Sequence, residues 1–305
     1  MPADPERALD TLETEQINPS TTNLDRMTPL QIAQAMNTED AKVAVAVAKE
    51  LPRIARAIEA IADRLRRGGR LIYMGAGTSG RLGVMDAAEC RPTFNTPPDM
   101  VIGYIAGGNG ALTAAVEDVE DRDDIGRADV ARLAVDARDV VVGITASGRT
   151  PYVLGALELA RERGAVTVGI ACTQGGPIEA LSDISIAPVV GPEALTGSTR
   201  LKAGTAQKMT LNMLSTGAMV LLGKTYGNLM VDVVATNAKL RIRAVTIVQR
   251  ATGADMASAE ALLRQAGGET KVAIVAGRAG ISPEQARQRL AEHAGSVRAA
   301  LGEQS

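Results

Sequence analysis

Five short apolar runs, near-continuous rather than alternating, punctuate the chain: RLIYM (70–74), VIGYI (101–105), DVVVGI (139–144), VTVGIA (166–171) and DISIAPVV (183–190). A strand that is apolar on both faces has to be covered on both faces, as in a buried parallel sheet. Helical patterns separate most of the runs, for example from Tyr152 to Arg163. Strand–helix alternation builds right-handed βαβ units. The expected fold is α/β: a doubly wound, mostly parallel five-stranded sheet with helices on both faces. Ligands of such sheets sit beyond the carboxyl ends of the strands, near the switch point of the strand order.

The expected organisation has three parts. Residues 1–37 read as an N-terminal arm, polar and rich in Thr, Asn and Pro over its first thirty positions. Residues 38–250 hold the main domain with its flanking helices. Thr38 ahead of Glu39 and Asp40 predicts a helix start. Ile54, Ile58, Ile61 and Leu65 then follow at helical spacing, in one or two helices bent at Pro52. A long helix is expected from about Leu201 to Lys224. Residues 251–305 read as a small domain of three short helices, broken at Gly267–Gly268 and Gly277–Gly280.

Three loops carry the chemistry. Gly75-Ala76-Gly77-Thr78-Ser79-Gly80-Arg81 follows the first strand and opens a helix. Glycines let the backbone approach an anion closely, and the helix N-terminus favours phosphate. The spacing matches neither the dinucleotide fingerprint nor the Gly-Lys-Ser/Thr of a P-loop. The hydroxyls of Thr78 and Ser79, beside Gly77, suit a monophosphate. Ser147-Gly148-Arg149-Thr150 repeats the pattern after the third strand, ahead of Pro151. Ser147 and Thr150 also read as ordinary helix caps, which is compatible with holding phosphate. The run from Gly191 to Lys202 brings Glu193, Ser198, Thr199 and Lys202 to the start of the long helix. It reads as a third wall of the pocket, or as a solvated loop with a helix start.

Composition removes other function classes. The formal net charge is −2, against the basic surplus of a nucleic-acid binder. No apolar run reaches the roughly 18 residues of a membrane span, and the N-terminus lacks the apolar core of a signal peptide. Cys90 and Cys172 show no framework spacing and read as buried small hydrophobes of a reduced, cytoplasmic protein. One histidine, His293, is too few for a histidine metal cluster. The methionines of the long helix, Met209, Met213 and Met219, follow helical spacing and read as core or interface.

The paired Gly-Thr-Ser-Gly and Ser-Gly-x-Thr loops resemble the sugar isomerase (SIS) domain, a phosphosugar-binding α/β fold. Four longer runs sharpen the likeness: GAGTSGRLGVMDAAECRPTF, ASGRTPYVLGALE, GPEALTGSTRLKAGTAQK and GNLMVDVVATNAKL. With the early TEQINP they resemble the N-acetylmuramic acid 6-phosphate etherases, strongly over residues 14–255. The glucokinase regulatory protein is similar in architecture but longer, with two SIS domains.

That resemblance implies a lyase of amino-sugar catabolism. Water and N-acetylmuramic acid 6-phosphate give N-acetylglucosamine 6-phosphate and D-lactate, with no redox cofactor or metal. The chemistry needs two proton-transfer groups. Glu89, in Asp86-Ala87-Ala88-Glu89-Cys90, matches the family's acid, and Glu120 matches its second glutamate, a candidate base. From the residues alone Glu89 is a helix-end carboxylate, and Glu120 sits in an acidic run where Glu117 is a rival. Met85, Cys90 and Phe94 are expected to wall Glu89 with apolar surface. An isomerase on the same fold, or a phosphosugar-sensing regulator, remains an alternative here. SIS domains pair, so a homodimer is expected, with the long helix and the Asn228–Leu240 segment at the contact.

Overall fold

The computed structural model describes residues 13–116, 118–233 and 238–303. The leading twelve residues, Glu117 and part of the Asn228–Leu240 segment therefore lie outside the described residues. The chain forms two compact units. The first comprises the described residues up to Ala87 with Asp99–Ser215, and the second Ala88–Pro98 with the described residues from Thr216 on.

The first unit opens with α1 (Pro29–Ala48) and α2 (Leu51–Arg66). Helix α1 starts nine residues before the expected Thr38. Thr28 caps it in a reciprocal box with Gln31, and Pro29 presets the first turn. The chain breaks at Lys49–Glu50, and Pro52 falls in the first turn of α2, where its missing N–H costs nothing.

The sheet follows: β1 (Leu71–Gly75), β2 (Val101–Ile105), β3 (Val140–Ile144), β4 (Val166–Ile170) and β5 (Ile184–Ile186). Its order is β2-β1-β3-β4-β5 and every pairing is parallel. Between the strands run α3 (Gly77–Phe94), α4 (Asp123–Arg132), α5 (Pro151–Glu162) and the one-turn α6 (Ile178–Leu181); α7 (Lys202–Leu221) follows the sheet. Both faces are covered, as the apolar runs required. Ile72, Met74 and Val141 pack with Val153, Ala156 and Leu157 of α5. Tyr73, one residue out of phase, turns to the opposite face, where the Gly83 backbone of α3 approaches it.

Chain order and strand order diverge between β1 and β3. The first connection runs outward to β2, and the next crosses to β3 on the other side of β1. Gly75 and Ile144, the last residues of those two strands, are register partners. The two hydroxyl-and-glycine loops thus start from adjacent strand ends at the switch point, where open α/β sheets bind ligands. No room exists for a side chain in the first turn: a Cβ on Gly80 would lie 2.5 Å from the Gly75 carbonyl oxygen. The helix start can press against the strand only because both positions are glycine.

The second unit contains α8 (Ala238–Thr252), α9 (Met256–Gln265), α10 (Thr270–Ala279), α11 (Pro283–Glu292) and the one-turn α12 (Val297–Ala300). Beyond Asp255 the described residues thus form four helices, where three were expected. Ser296 caps the additional short one. Their small apolar residues, among them Ala244, Val248, Ala259, Ala273 and Ala286, form one core. Among the described residues no helix is long and apolar enough to cross a membrane.

Candidate active site

A cavity of about 400 Å³ opens in the first unit at the ends of β1 and β3. From the expected set it gathers Gly77, Thr78, Ser79, Ser147, Arg149, Thr150, Thr199 and Glu120. The volume lies within the range of small-molecule sites.

The first wall is the N-terminus of α3. Gly77 takes the left-handed conformation with φ +51°, and its Cβ position is open. The first N–H groups of a helix have no partners within the helix, so those of Gly77, Thr78 and Ser79 are available to an anion. The Ser79 hydroxyl donates to Oε1 of buried Gln207, at 3.0 Å. Gln207 fixes the Ser79 rotamer and leaves the hydroxyl oxygen able to accept.

The second wall is a relay of hydroxyls after β3. Thr145 Oγ1 lies 2.7 Å from Thr150 Oγ1 and 3.5 Å from Ser147 Oγ. Ser147 Oγ in turn accepts from the Arg149 N–H at 3.2 Å. Thr150 occupies the N-cap of α5, yet its hydroxyl makes no cap bond and turns to Thr145. Gly148 holds the loop's shape from outside the cavity, at φ +71° and close against Ile178 and Ala171. Arg149 is exposed and is the one cation of the lining among the described residues. The described lining thus combines N–H and O–H groups with three carboxylates, Glu15, Glu120 and Asp121.

Glu120 lies at the rim beside Asp121; both are exposed. Its backbone carbonyl accepts from the Tyr152 N–H at 3.0 Å, which ties the segment to the first turn of α5. Glu89 is not among the lining residues. It sits on α3 and is exposed. Met85, four residues before Glu89 and on the same helix face, is 46% exposed, whereas Cys90 and Phe94 point inward.

Two members of the expected third wall serve the fold. Glu193 is fully buried, and its two carboxylate oxygens accept from the Lys202 and Ala203 N–H groups, each at 2.9 Å. It caps α7, although burial raises its pKa. Lys202 is also buried, and its ammonium donates to Glu39 of α1 at 2.7 Å. A buried ammonium needs such a counter-ion. Ser198 is part-exposed and outside the lining, while its neighbour Thr199 belongs to it.

The cavity also takes in residues that the sequence reading did not assign to it: Thr14, Glu15, Thr145, Ala146 and Asp121. Thr14 is fully buried, and its hydroxyl has no hydrogen-bond partner among the described residues. TEQINP was the available signal for Thr14 and Glu15; Thr145 directly precedes the Ala-Ser-Gly-Arg-Thr run.

Residues 53–161 match the glucokinase regulatory protein N-terminal SIS domain, and residues 122–217 match the SIS domain. A phosphoheptose isomerase from Francisella tularensis superposes with a TM-score of 0.50 at 21% identity, covering 64% of this chain and 100% of its own. At that identity it speaks for the fold. The N-acetylmuramic acid 6-phosphate etherase of Rubrobacter xylanophilus is 57% identical over 292 residues, 96% of each chain. The chain belongs to the N-acetylmuramic acid 6-phosphate etherase family. The etherases of Serratia proteamaculans, at 58% identity over 96% of this chain and 99% of their own, and of Yersinia pestis, at 56% over 96% and 100%, are similar to it to the same degree. Etherase likeness thus spans both units, and the two SIS-type matches together span residues 53–217.

Proposed function

We propose that this protein cleaves the D-lactyl ether of N-acetylmuramic acid 6-phosphate, with water, to N-acetylglucosamine 6-phosphate and D-lactate. Near-full-length likeness to the etherases carries the reading, and the cavity suits the substrate. The phosphate is bound by the N–H groups of Gly77, Thr78 and Ser79 and by the hydroxyls of Thr78, Ser79, Ser147 and Thr150. Arg149 adds positive charge at the mouth. Thr14 and Thr199 contact the sugar.

In the open-chain sugar the C1 aldehyde acidifies the C2 proton. Glu120 takes that proton, the C3–oxygen bond breaks, and the oxygen leaves as the hydroxyl of lactate with a proton from Glu89. Water then adds to the C2–C3 double bond: its hydroxyl goes to C3, and a proton returns to C2. The oxidation level of the pair of products equals that of the substrate plus water, so the step needs no redox partner. The protein acts in the cytoplasm, in amino-sugar catabolism.

Glu89 is exposed and absent from the lining of its own chain's cavity. Exposed Met85 shares its helix face. We therefore assign Glu89 to the cavity of a second copy in a homodimer. Glu89→Ala and Glu120→Ala chains, each expected to release no D-lactate alone, test this by mixing. Random pairing restores one complete site in half of the dimers, about a quarter of wild-type activity. Mixtures that stay inactive, or a monomer by light scattering, refute the shared site; full D-lactate release by either variant alone refutes the glutamate roles.

A further inference from the structure

The second unit contains a larger cavity, about 580 Å³, that shares no lining residue with the first. We propose that it is a second anion site, which binds the phosphate group of a small phosphate monoester.

Charge is the first argument. Three cations, Lys224, Lys271 and Arg287, line it against two carboxylates, Asp232 and Glu269. Lys224 and Lys271 share a single carboxylate oxygen, Asp232 Oδ2, at 3.1 and 2.7 Å. Two ammonium groups drawn to one oxygen leave a positive charge to be met by something else. Burial lowers the Lys271 pKa, and the nearby Lys224 charge pushes the same way against Asp232. A bound anion relieves both effects.

Unsatisfied donors are the second argument. Helix α10, ten residues long, begins at Thr270, and Glu269 in front of it provides no side-chain cap. The Glu269 carboxylate instead accepts from Arg287 Nε at 2.8 Å. The first N–H groups of α10 are therefore uncapped. Thr270 is only 4% exposed, and its hydroxyl finds no hydrogen-bond partner among the described residues. A buried hydroxyl beside an uncapped helix start and a shared carboxylate is a set of donors awaiting an acceptor. The backbone in front is a Gly267–Gly268 turn, and the Cβ position of Gly268 is open. The volume exceeds what a bare phosphate needs and matches a metabolite-sized phosphate monoester.

Titration calorimetry with inorganic phosphate at constant ionic strength tests the proposal. The proteins are wild type, Ser147→Ala, Thr270→Val and Lys271→Met. A phosphate-binding event that persists in Ser147→Ala is expected to weaken roughly tenfold or more in Thr270→Val and in Lys271→Met, since each removes a donor to a charged acceptor. Without phosphate, Thr270→Val is expected to unfold at the wild-type temperature or above, because the isosteric change removes an unpaired buried hydroxyl. The proposal is overturned if no phosphate binds in Ser147→Ala, or if that binding is the same in the Thr270 and Lys271 variants. It is equally overturned if Thr270→Val unfolds markedly earlier without phosphate, for the hydroxyl then has a structural partner.

Discussion

Glu120→Gln is expected to lower kcat for D-lactate release by about 10² to 10⁴-fold, the usual contribution of a positioned general base. KM should change little. The substitution keeps the side chain's size, and the fold holds this segment through the Glu120 carbonyl and the Tyr152 N–H, which the change leaves intact. Steady-state kinetics on the variant check the expectation. A fall in kcat/KM carried entirely by KM assigns Glu120 to binding rather than proton transfer, because an interaction made equally in ground and transition states leaves kcat unaltered. Asp121, its exposed neighbour on the lining, supplies the control. Asp121→Asn should retain most of the activity if Glu120 alone is the base.

The second large effect falls on stability. Glu39 accepts from Lys202 at 2.7 Å and from Lys42 at 2.6 Å, but only Lys202 is buried with it; the Lys42 side chain is 54% exposed. Lys202→Met removes the buried partner and leaves a buried carboxylate poorly matched. A loss of about 3–5 kcal/mol is expected, read as a lower unfolding temperature in calorimetry. Adding Glu39→Gln to Lys202→Met should recover part of it, because the uncompensated charge is then gone. The same pair sets an acid dependence. Burial tends to raise the Glu39 pKa, but hydrogen bonds from Lys202 and Lys42 outweigh it and hold the group at about 2, against an ordinary 4.5. A depressed carboxylate stabilises the fold above its unfolded pKa and loses that contribution as pH falls through the folded one. Wild type should therefore lose this stabilisation between pH 4.5 and about 2, and Lys202→Met should show a shallower loss. An unchanged acid slope in the variant contradicts the pair's role.

The sheet was legible because strands covered on both faces cannot alternate, and five such runs stood out from amphipathic helices. The two hydroxyl-and-glycine loops were legible because glycine and hydroxyl residues recur at the ends of strands, and the switch point brings them to adjacent positions. Pairings distant in sequence were not. Lys202 looked like a pocket cation because nothing local points to Glu39, 163 residues away, as its partner. Glu193 sits nine residues from the N–H group it caps, too far for a cap to be read from sequence. Gln207, which orients Ser79 from 128 residues away, was equally hidden. Glu89 was assigned an apolar setting from its neighbours Met85, Cys90 and Phe94, yet helical periodicity sends Met85 and Glu89 outward and the other two inward. Thr38, an acceptable cap with acids after it, lies inside a helix already begun by the stronger Thr28–Gln31 box, so a local cap signal alone points to the wrong start for α1.

The proposed chemistry rests on elimination followed by hydration, and one measurement addresses it directly. The protein is incubated with N-acetylmuramic acid 6-phosphate in deuterated water, and both products are analysed by NMR and mass spectrometry. Elimination requires D-lactate together with N-acetylglucosamine 6-phosphate that carries one deuterium at C2. D-lactate accompanied by a sugar with its original C2 hydrogen contradicts proton abstraction, and deuterium at C2 without D-lactate contradicts ether cleavage.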